Sequence, residues 1–374
     1  MADLMLGLAE ARLASLDTFR GATIAAMILV NNPGSWEHVY PPLRHAPWHG
    51  WTPTDLIFPF FLFIVGVSIS FSLSRRRDQA SGLGPVVTKI LSRSLILFVL
   101  GLFLALFPRF DFSTLRIPGV LQRIALCYLA GSLIFLKTGV RGRIILSAAL
   151  LAAYGAALKW IPVPGNGPGA LSPEGNLCGW IDVKFLGGHL YTPTFDPEGI
   201  LSTVPAIATV LLGTLAGDWL RQTGKPKLRF WGLFAGGAAL TASGLWLHGL
   251  IPINKQLWTS SFVLFTGGAA CLILGLFYGA MDVLQWRRGA LPFRVFGTNA
   301  ILVFVGSGLL ARVLQLIRIP LGGEAVPFQA YVFQQWLAPW AGPLAGSLLF
   351  PIILLILWFL LLYPLYRRRI FLKI

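Results

Sequence analysis

Long runs of apolar residues, separated by short polar connections, constrain this 374-residue chain more than any motif in it. Ten such runs fall at about 16–31, 54–74, 89–107, 117–136, 144–161, 197–220, 230–247, 257–283, 293–316 and 343–366. A segment inside hydrocarbon finds no water for its backbone N–H and C=O groups, so each run is expected to be a helix. About 20 residues of helix cross a hydrocarbon core of ~30 Å, and most of the runs reach that length. The first is shorter and is expected to begin within the interface. Acids precede it and no A-x-A cleavage site follows it, so it is expected to stay as an anchor rather than be removed as a signal peptide. Composition agrees, with 56% hydrophobic and only 12% charged residues, far from the soluble average. The expected class is all-α: one polytopic integral membrane domain over 1–374 with about ten transmembrane helices.

Charge placement orients the chain. Of 30 Lys and Arg, 21 fall on one side: Arg12 and Arg20, the groups at 75–93, 137–143, 221–229 and 287–294, and the tail at 367–373. The excess of basic residues on cytoplasmic connections predicts that both termini are cytoplasmic. An even number of spans independently requires both ends on one side. The formal net charge of +16 does not point to nucleic acid, because the basic residues come in short clusters between apolar runs rather than one patch. The topology rule alone accounts for these clusters, and attraction of an anionic ligand is the alternative. Three longer connections, at about 32–53, 162–196 and 317–342, lie on the opposite face. Loops of that length are usually functional or disordered, and the Gly, Pro and aromatic content of the second suggests an ordered lid. Cys127, Cys178 and Cys271 form no CxxC and no evident pair, so neither redox chemistry nor a metal site is expected.

Polar residues concentrate at the ends of the first two runs. Asp17 and Arg20 stand about one helical turn apart, where an interfacial ion pair is the plain reading. Asn31 ends the first run, either as a helix cap or as an amide donor to a developing oxyanion. His45 lies among Arg44, Trp48, His49 and Trp51; it is either an interfacial histidine or a general base or nucleophile. His38 and His49 are weaker candidates. Asp55 opens the second run, where it could cap the helix, orient His45 through a hydrogen bond, or both.

Further along, Arg116, Gln122 and Arg123 stand at or inside a span. A charge near a bilayer centre costs ~2.5–3.5 kcal/mol on insertion scales and commonly marks a ligand path. Asp196 and Glu198 flank Pro197 at the mouth of a later span, and Asn254 with Lys255 at the mouth of another; carboxylates near helix N-termini are favourable without any function. Asn299, inside a run, could simply bond across helices.

The stretches SLDTFRG, HAPWHGWTPTDLIFPFFLFIVGVSI, LRIPGVLQRIAL, FDPEGIL, IPINKQLW and YRRRIFLKI together resemble the heparan-alpha-glucosaminide N-acetyltransferase catalytic family, the transmembrane acetyltransferases, over nearly the whole chain. The resemblance implies a dimer of transmembrane helices. It also implies transfer of acetyl from cytoplasmic acetyl-CoA, as co-substrate, to a glucosamine-type amino sugar across the inner (plasma) membrane. Through HAPW the family's active histidine falls on His45, and through VNN its asparagine falls on Asn31. Asp17, Asp55, Arg116 and Glu198 match further family positions. His45 would act as general base or as acetyl carrier. The competing reading is a proton-coupled small-molecule transporter using Arg123 and Asp55 in a relay; it predicts internal repeats, and the two halves show no convincing similarity.

Overall fold

A computed structural model describes residues 13–77, 83–222 and 224–372. Arg12, Lys373 and the side chains of residues 75–77, counted above among the basic groups, lie outside the described residues. The chain is mostly helical. In order come α1 (Ala14–Asn31), 3-10 turns at Pro41–Leu43 and Pro53–Leu56, α2 (Ile57–Arg77), α3 (Gly84–Leu106), α4 (Val120–Lys137), α5 (Val140–Trp160) and α6 (Leu177–Leu186). Then follow α7 (Thr203–Arg221), α8 (Pro226–His248), α9 (Ser260–Tyr278), α10 (Leu291–Thr298) and α11 (Ala300–Leu316). The strands β1 (Arg318–Leu321) and β2 (Glu324–Pro327) precede α12 (Phe328–Val332), α13 (Ala338–Ala341) and α14 (Pro343–Arg367).

Eight helical segments among the described residues are long and apolar enough to cross a bilayer, and the bent pair α10–α11 makes a ninth if it counts as one span. α1 is not in that set, because Asp17, Arg20 and Asn31 dilute its 18 residues. The ninth expected run is not one straight helix: it breaks by 84° between α10 and α11. The break sits at Asn299, whose Nδ2 donates to Ile370 O (3.2 Å) and whose Oδ1 accepts from Leu372 N (2.9 Å). Asn299 therefore clamps the C-terminal segment rather than merely bridging two helices. The third long connection is not purely helical either, since β1 and β2 pair antiparallel with Arg318 opposite Pro327. The second connection carries α6, an ordered element as its composition suggested.

The contacts group the chain into two compact units. One holds 13–45, 52–57 and 277–372, with α1 against α10, α11 and α14. A Cβ on Gly21 would fall 1.6 Å from Phe293 O, so the α1 and α10 backbones touch at a point only glycine permits. The first long connection is stitched into this unit: Gly34 N donates to Ser347 O (2.8 Å) and Ser35 N to Ser347 Oγ (3.0 Å). The other unit holds 46–51 and 58–276, where α7 packs against α4, α5 and α8. Its core includes Leu62, Phe63, Val67, Val210 and Leu211, with Trp258 buried edge-on to Phe58 at 5.1 Å between centroids.

Two expected spans start later than their hydropathy suggested. Helix α4 begins at Val120, after Pro118 and Gly119, so Arg123 lies in its first turn rather than near a bilayer centre. Helix α7 begins at Thr203, and residues 197–202 form turns. Arg143, counted among the basic connections, is instead fully buried in the first turn of α5. Its Nη2 pairs with Asp218 of α7, and its guanidinium lies 4.5 Å from the Phe135 ring centroid. Asp218 also accepts from Ser70 Oγ (2.6 Å) and Arg221 Nη1 (3.3 Å).

Candidate active site

In the first unit, the turn Pro53–Leu56 explains how a carboxylate is fixed beside an imidazole. Pro53 presets a helical φ at the start, Thr52 precedes it, and Asp55 reaches back so that Thr52 N donates to its Oδ2 (3.0 Å). Asp55 is 1% exposed, and a buried carboxylate needs such partners. Its other oxygen, Oδ1, lies 2.6 Å from His45 Nδ1. With Asp55 ionised, Nδ1 must carry the proton it donates, which makes Nε2 the basic nitrogen. The histidine side chain is 45% exposed. One face of the imidazole is thus held by a buried acid while the ring remains accessible.

The backbone around this pair is laced to itself. Thr52 Oγ1 lies 2.6 Å from Arg44 O and 3.2 Å from Asp55 Oδ2, Thr54 Oγ1 donates to Pro42 O (3.2 Å), and Arg44 Nε donates to Val39 O (2.8 Å). The turn carrying His45 and the turn carrying Asp55 are therefore one stapled object. In α1, Asp17 and Arg20 form the expected pair at 3.0 Å, and Arg20 Nη1 also approaches Gly297 O at 3.5 Å. Asn31 is exposed at the end of α1, whereas Asn32 is buried with its amide donating to Ile28 O (2.9 Å).

In the second unit, Arg116 forks onto Asp196, Nε to Oδ2 at 2.8 Å and Nη2 to Oδ1 at 2.6 Å, and meets Glu198 Oε2 at 2.5 Å. Its guanidinium also lies 4.7 Å from the Tyr191 ring centroid. Burial alone would lower the Arg116 pKa, but Asp196 and Glu198 outweigh it and raise the pKa above its ordinary value, so the group stays charged. Behind them Asp182 of α6 accepts from Ile200 N (2.8 Å) and Asp196 N (3.4 Å). Burial pushes the Asp182 carboxyl up to about 6 against those two backbone donors.

Arg123 is 1% exposed and donates through Nη2 to Ser202 Oγ and to Gly199 O (3.3 Å). It stacks 5.1 Å from the Trp258 ring centroid, while its Nε and Nη1 have no hydrogen-bond partner among the described residues. Gln122 is also buried, its Nε2 donating to Ile117 O (3.1 Å). Asn254 is fully buried and organises the entry to α9 by accepting from Leu257 N (2.8 Å). Its Nδ2 lies 3.3 Å from His49 Nδ1, and burial followed by the nearby His248 lowers the His49 pKa. Lys255 beside it is half-buried.

The family described as heparan-alpha-glucosaminide N-acetyltransferase, catalytic, matches residues 12–251. The chain belongs to that family. It is 31% identical to the Homo sapiens heparan-alpha-glucosaminide N-acetyltransferase and 29% identical to the Mus musculus one, each alignment covering 97% of this chain. The chain spans 60% of the length of these relatives.

Within this N-acetyltransferase family member, the expected partners His45 and Asp55 are brought together, as are Arg116 and Glu198, and Asp17 and Arg20. Thr52 and Asp182 were not singled out from sequence. Thr52 was legible in principle as the residue three before Asp55 at a helix start. Asp182 carried no signal, since an acid inside WIDVKF says nothing about the backbone 14 to 18 residues later that it holds.

Proposed function

We propose that this protein is a multi-pass membrane acetyltransferase that moves the acetyl group of acetyl-CoA to the amine of a glucosamine-type amino sugar. The observation that carries the reading is the 2.6 Å contact between His45 Nδ1 and the buried Asp55 carboxylate, on an accessible imidazole. Acyl transfer to an amine needs a base for the ammonium proton and donors for the oxyanion. Nε2 of His45 takes the proton as the amine nitrogen bonds to the thioester carbonyl carbon. The C–S bond then breaks, and the thiolate leaves with that proton. Asp55 stabilises the imidazolium in between. Asn31 is assigned as donor to the carbonyl oxygen.

Asp17, Arg20, Arg116, Gln122, Arg123, Glu198, Asn254 and Lys255 are assigned to holding the substrates, directly or by shaping the walls. The thioester arrives from the basic, cytoplasmic side, where guanidinium and ammonium groups attract phosphates. The acceptor stands on the extracytoplasmic side of the inner (plasma) membrane, both termini are cytoplasmic, the whole chain is one acyltransferase domain, and the working unit is a homodimer. No metal takes part.

The test is CoA thiol release from purified protein with acetyl-CoA and a panel of amino sugars. It should depend on acceptor and be lost in His45→Ala. Release that survives the substitution sinks the role of His45. Radiolabelled acetyl retained on the wild-type protein without acceptor, and absent from His45→Ala, would select an acetyl-histidine path over direct transfer.

A further inference from the structure

Residues 46–51, which follow His45 in the chain, group with the second unit and are fastened there to the α8–α9 connection. Gly50 N donates to Ile253 O (2.8 Å). Beside that bond, Asn254 Nδ2 lies 3.3 Å from His49 Nδ1. The far end of the amide decides which way this contact runs. Asn254 is fully buried and its Oδ1 already accepts from Leu257 N (2.8 Å), so its nitrogen is what faces the imidazole. An amide NH2 only donates, so His49 Nδ1 must accept and the ring proton sits on Nε2.

His248, the last residue of α8, is held in the same way. Its Nδ1 accepts from Ile253 N at 2.9 Å, and a backbone N–H can only donate. Two exposed imidazoles are thus each kept neutral by a donor, the donors coming from consecutive residues of one connection. His45 is the contrast, because its Nδ1 faces a carboxylate and carries the proton.

Protonation puts a hydrogen on Nδ1 of either ring, where it meets an N–H instead of a lone pair. The two rings also act on each other, since His248 lowers the His49 pKa further after burial has lowered it. Among the described residues no carboxylate pairs with either ring. On the α5–α7 connection, where Trp48 Nε1 donates to Leu171 O (2.7 Å), Asp196 is committed to Arg116, Asp182 accepts from two backbone N–H groups, and Glu174 is exposed. Lys255, directly after Asn254, is a further cation of the α8–α9 connection, and on α9 the segment meets Phe265 through Trp51 (4.6 Å between centroids). The docked segment therefore favours neutral His49. As pH falls below the ordinary imidazole value of ~6.5, the undocked segment takes up the proton first and docking weakens.

We propose that His49, Asn254 and His248 form a latch, closed at neutral pH and opened by acid, that releases residues 48–50 from the α8–α9 connection and loosens the chain between His45 and Thr52. Trp48 and Trp51 keep their own anchors, so the release is centred on Gly50. The latch does not depend on the acetyltransferase reading.

Ring-nitrogen NMR of the full-length protein in detergent, with isotopically labelled histidine, tests the tautomers. The chain has five histidines, so His49→Asn and His248→Asn identify their own signals by subtraction. At about pH 7.5, His49 and His248 should carry the proton on Nε2 and His45 on Nδ1. A His49 that is cationic or protonated on Nδ1 at that pH overturns the proposal.

Hydrogen exchange at Gly50 reads the opening. Between about pH 7.5 and about pH 5, protection corrected for the intrinsic rate should fall about threefold to tenfold in wild type, the size of one lost hydrogen bond. In the double variant His49→Asn with His248→Asn, each Oδ1 accepts where Nδ1 did but cannot titrate, so the fall should vanish. Asn254→Ala should show the low protection at both pH values. Wild-type protection that does not change with pH, a measurement that needs no variant to fold, overturns the latch. So does a fall of equal size in the double variant.

Discussion

His45 Nδ1 lies 2.6 Å from Asp55 Oδ1, and the second oxygen of that carboxylate is held by the backbone N–H of Thr52 at 3.0 Å. The acid is therefore oriented from behind before it meets the ring. Replacing Asp55 by Asn keeps the shape and the Thr52 contact but removes the charge that fixes the imidazole tautomer. Acetyl transfer should fall by about two to four orders of magnitude, as expected for a group that orients a general base. Initial rates of thiol release measure this, with circular dichroism as the check on folding. Activity within a fewfold of wild type would mean that Asp55 only caps its helix.

Arg116 neutralises two carboxylates, Asp196 being buried and Glu198 nearly so. Arg116→Ala leaves them facing each other without a cation, and breaking a buried pair in this way costs about 3–5 kcal/mol. Arg116→Lys keeps the charge but not the fork, so it should recover only part of the loss. Thermal unfolding in detergent reads the stability, and amide hydrogen exchange at Tyr191 and Glu198, whose N–H groups donate to Asp196, reads the local loosening.

Arg123 presents a different balance. A buried guanidinium with Nε and Nη1 unpartnered among the described residues is costly to the fold, and an apolar residue of similar length often does as well or better. Arg123→Met should hold or raise the unfolding temperature. If the charge is kept for a substrate, the same variant should lose at least tenfold in kcat/KM for acetyl-CoA. Loss of stability together with full activity in the surviving fraction would assign Arg123 to structure alone.

The Asp182 carboxyl, raised to about 6 by burial, gives a pH dependence with a definite sign. Its folded-state pKa lies above the unfolded value of ~3.9. Between roughly pH 4 and 6 the native chain thus binds more protons at this site than the unfolded chain, and the contribution of Asp182 to stability falls as pH rises through that window. Wild type minus Asp182→Asn, followed by unfolding temperature from pH 4 to 8, should slope downward up to about pH 6 and flatten above it. A flat difference across the whole range would contradict the raised value.

Much of the architecture was readable along the chain because a membrane helix is a local object: its hydrogen bonds run four residues back, and its apolar length shows in one window. By that logic the apolar runs determined a mostly helical chain with membrane-length helices, and Asp55, at the opening of its helix within ten residues of His45, was already placed within reach of it. Local hydropathy misread the points where polar chemistry overrides length. The late start of α4 after Pro118 and Gly119 puts Arg123 in a first turn, and the 84° break at Asn299 divides an unbroken apolar run.

What tertiary structure alone decided are pairings across distance. Arg116 finds Asp196 80 residues away, and Arg143 leaves the basic connections to meet Asp218 75 residues away. Asp182 grips the turn before α7, and Leu43 joins residues of α14 in one apolar crevice. Such pairings depend on which helices pack and in what rotation. That is settled by the fit of many side chains at once, and no window of sequence contains it.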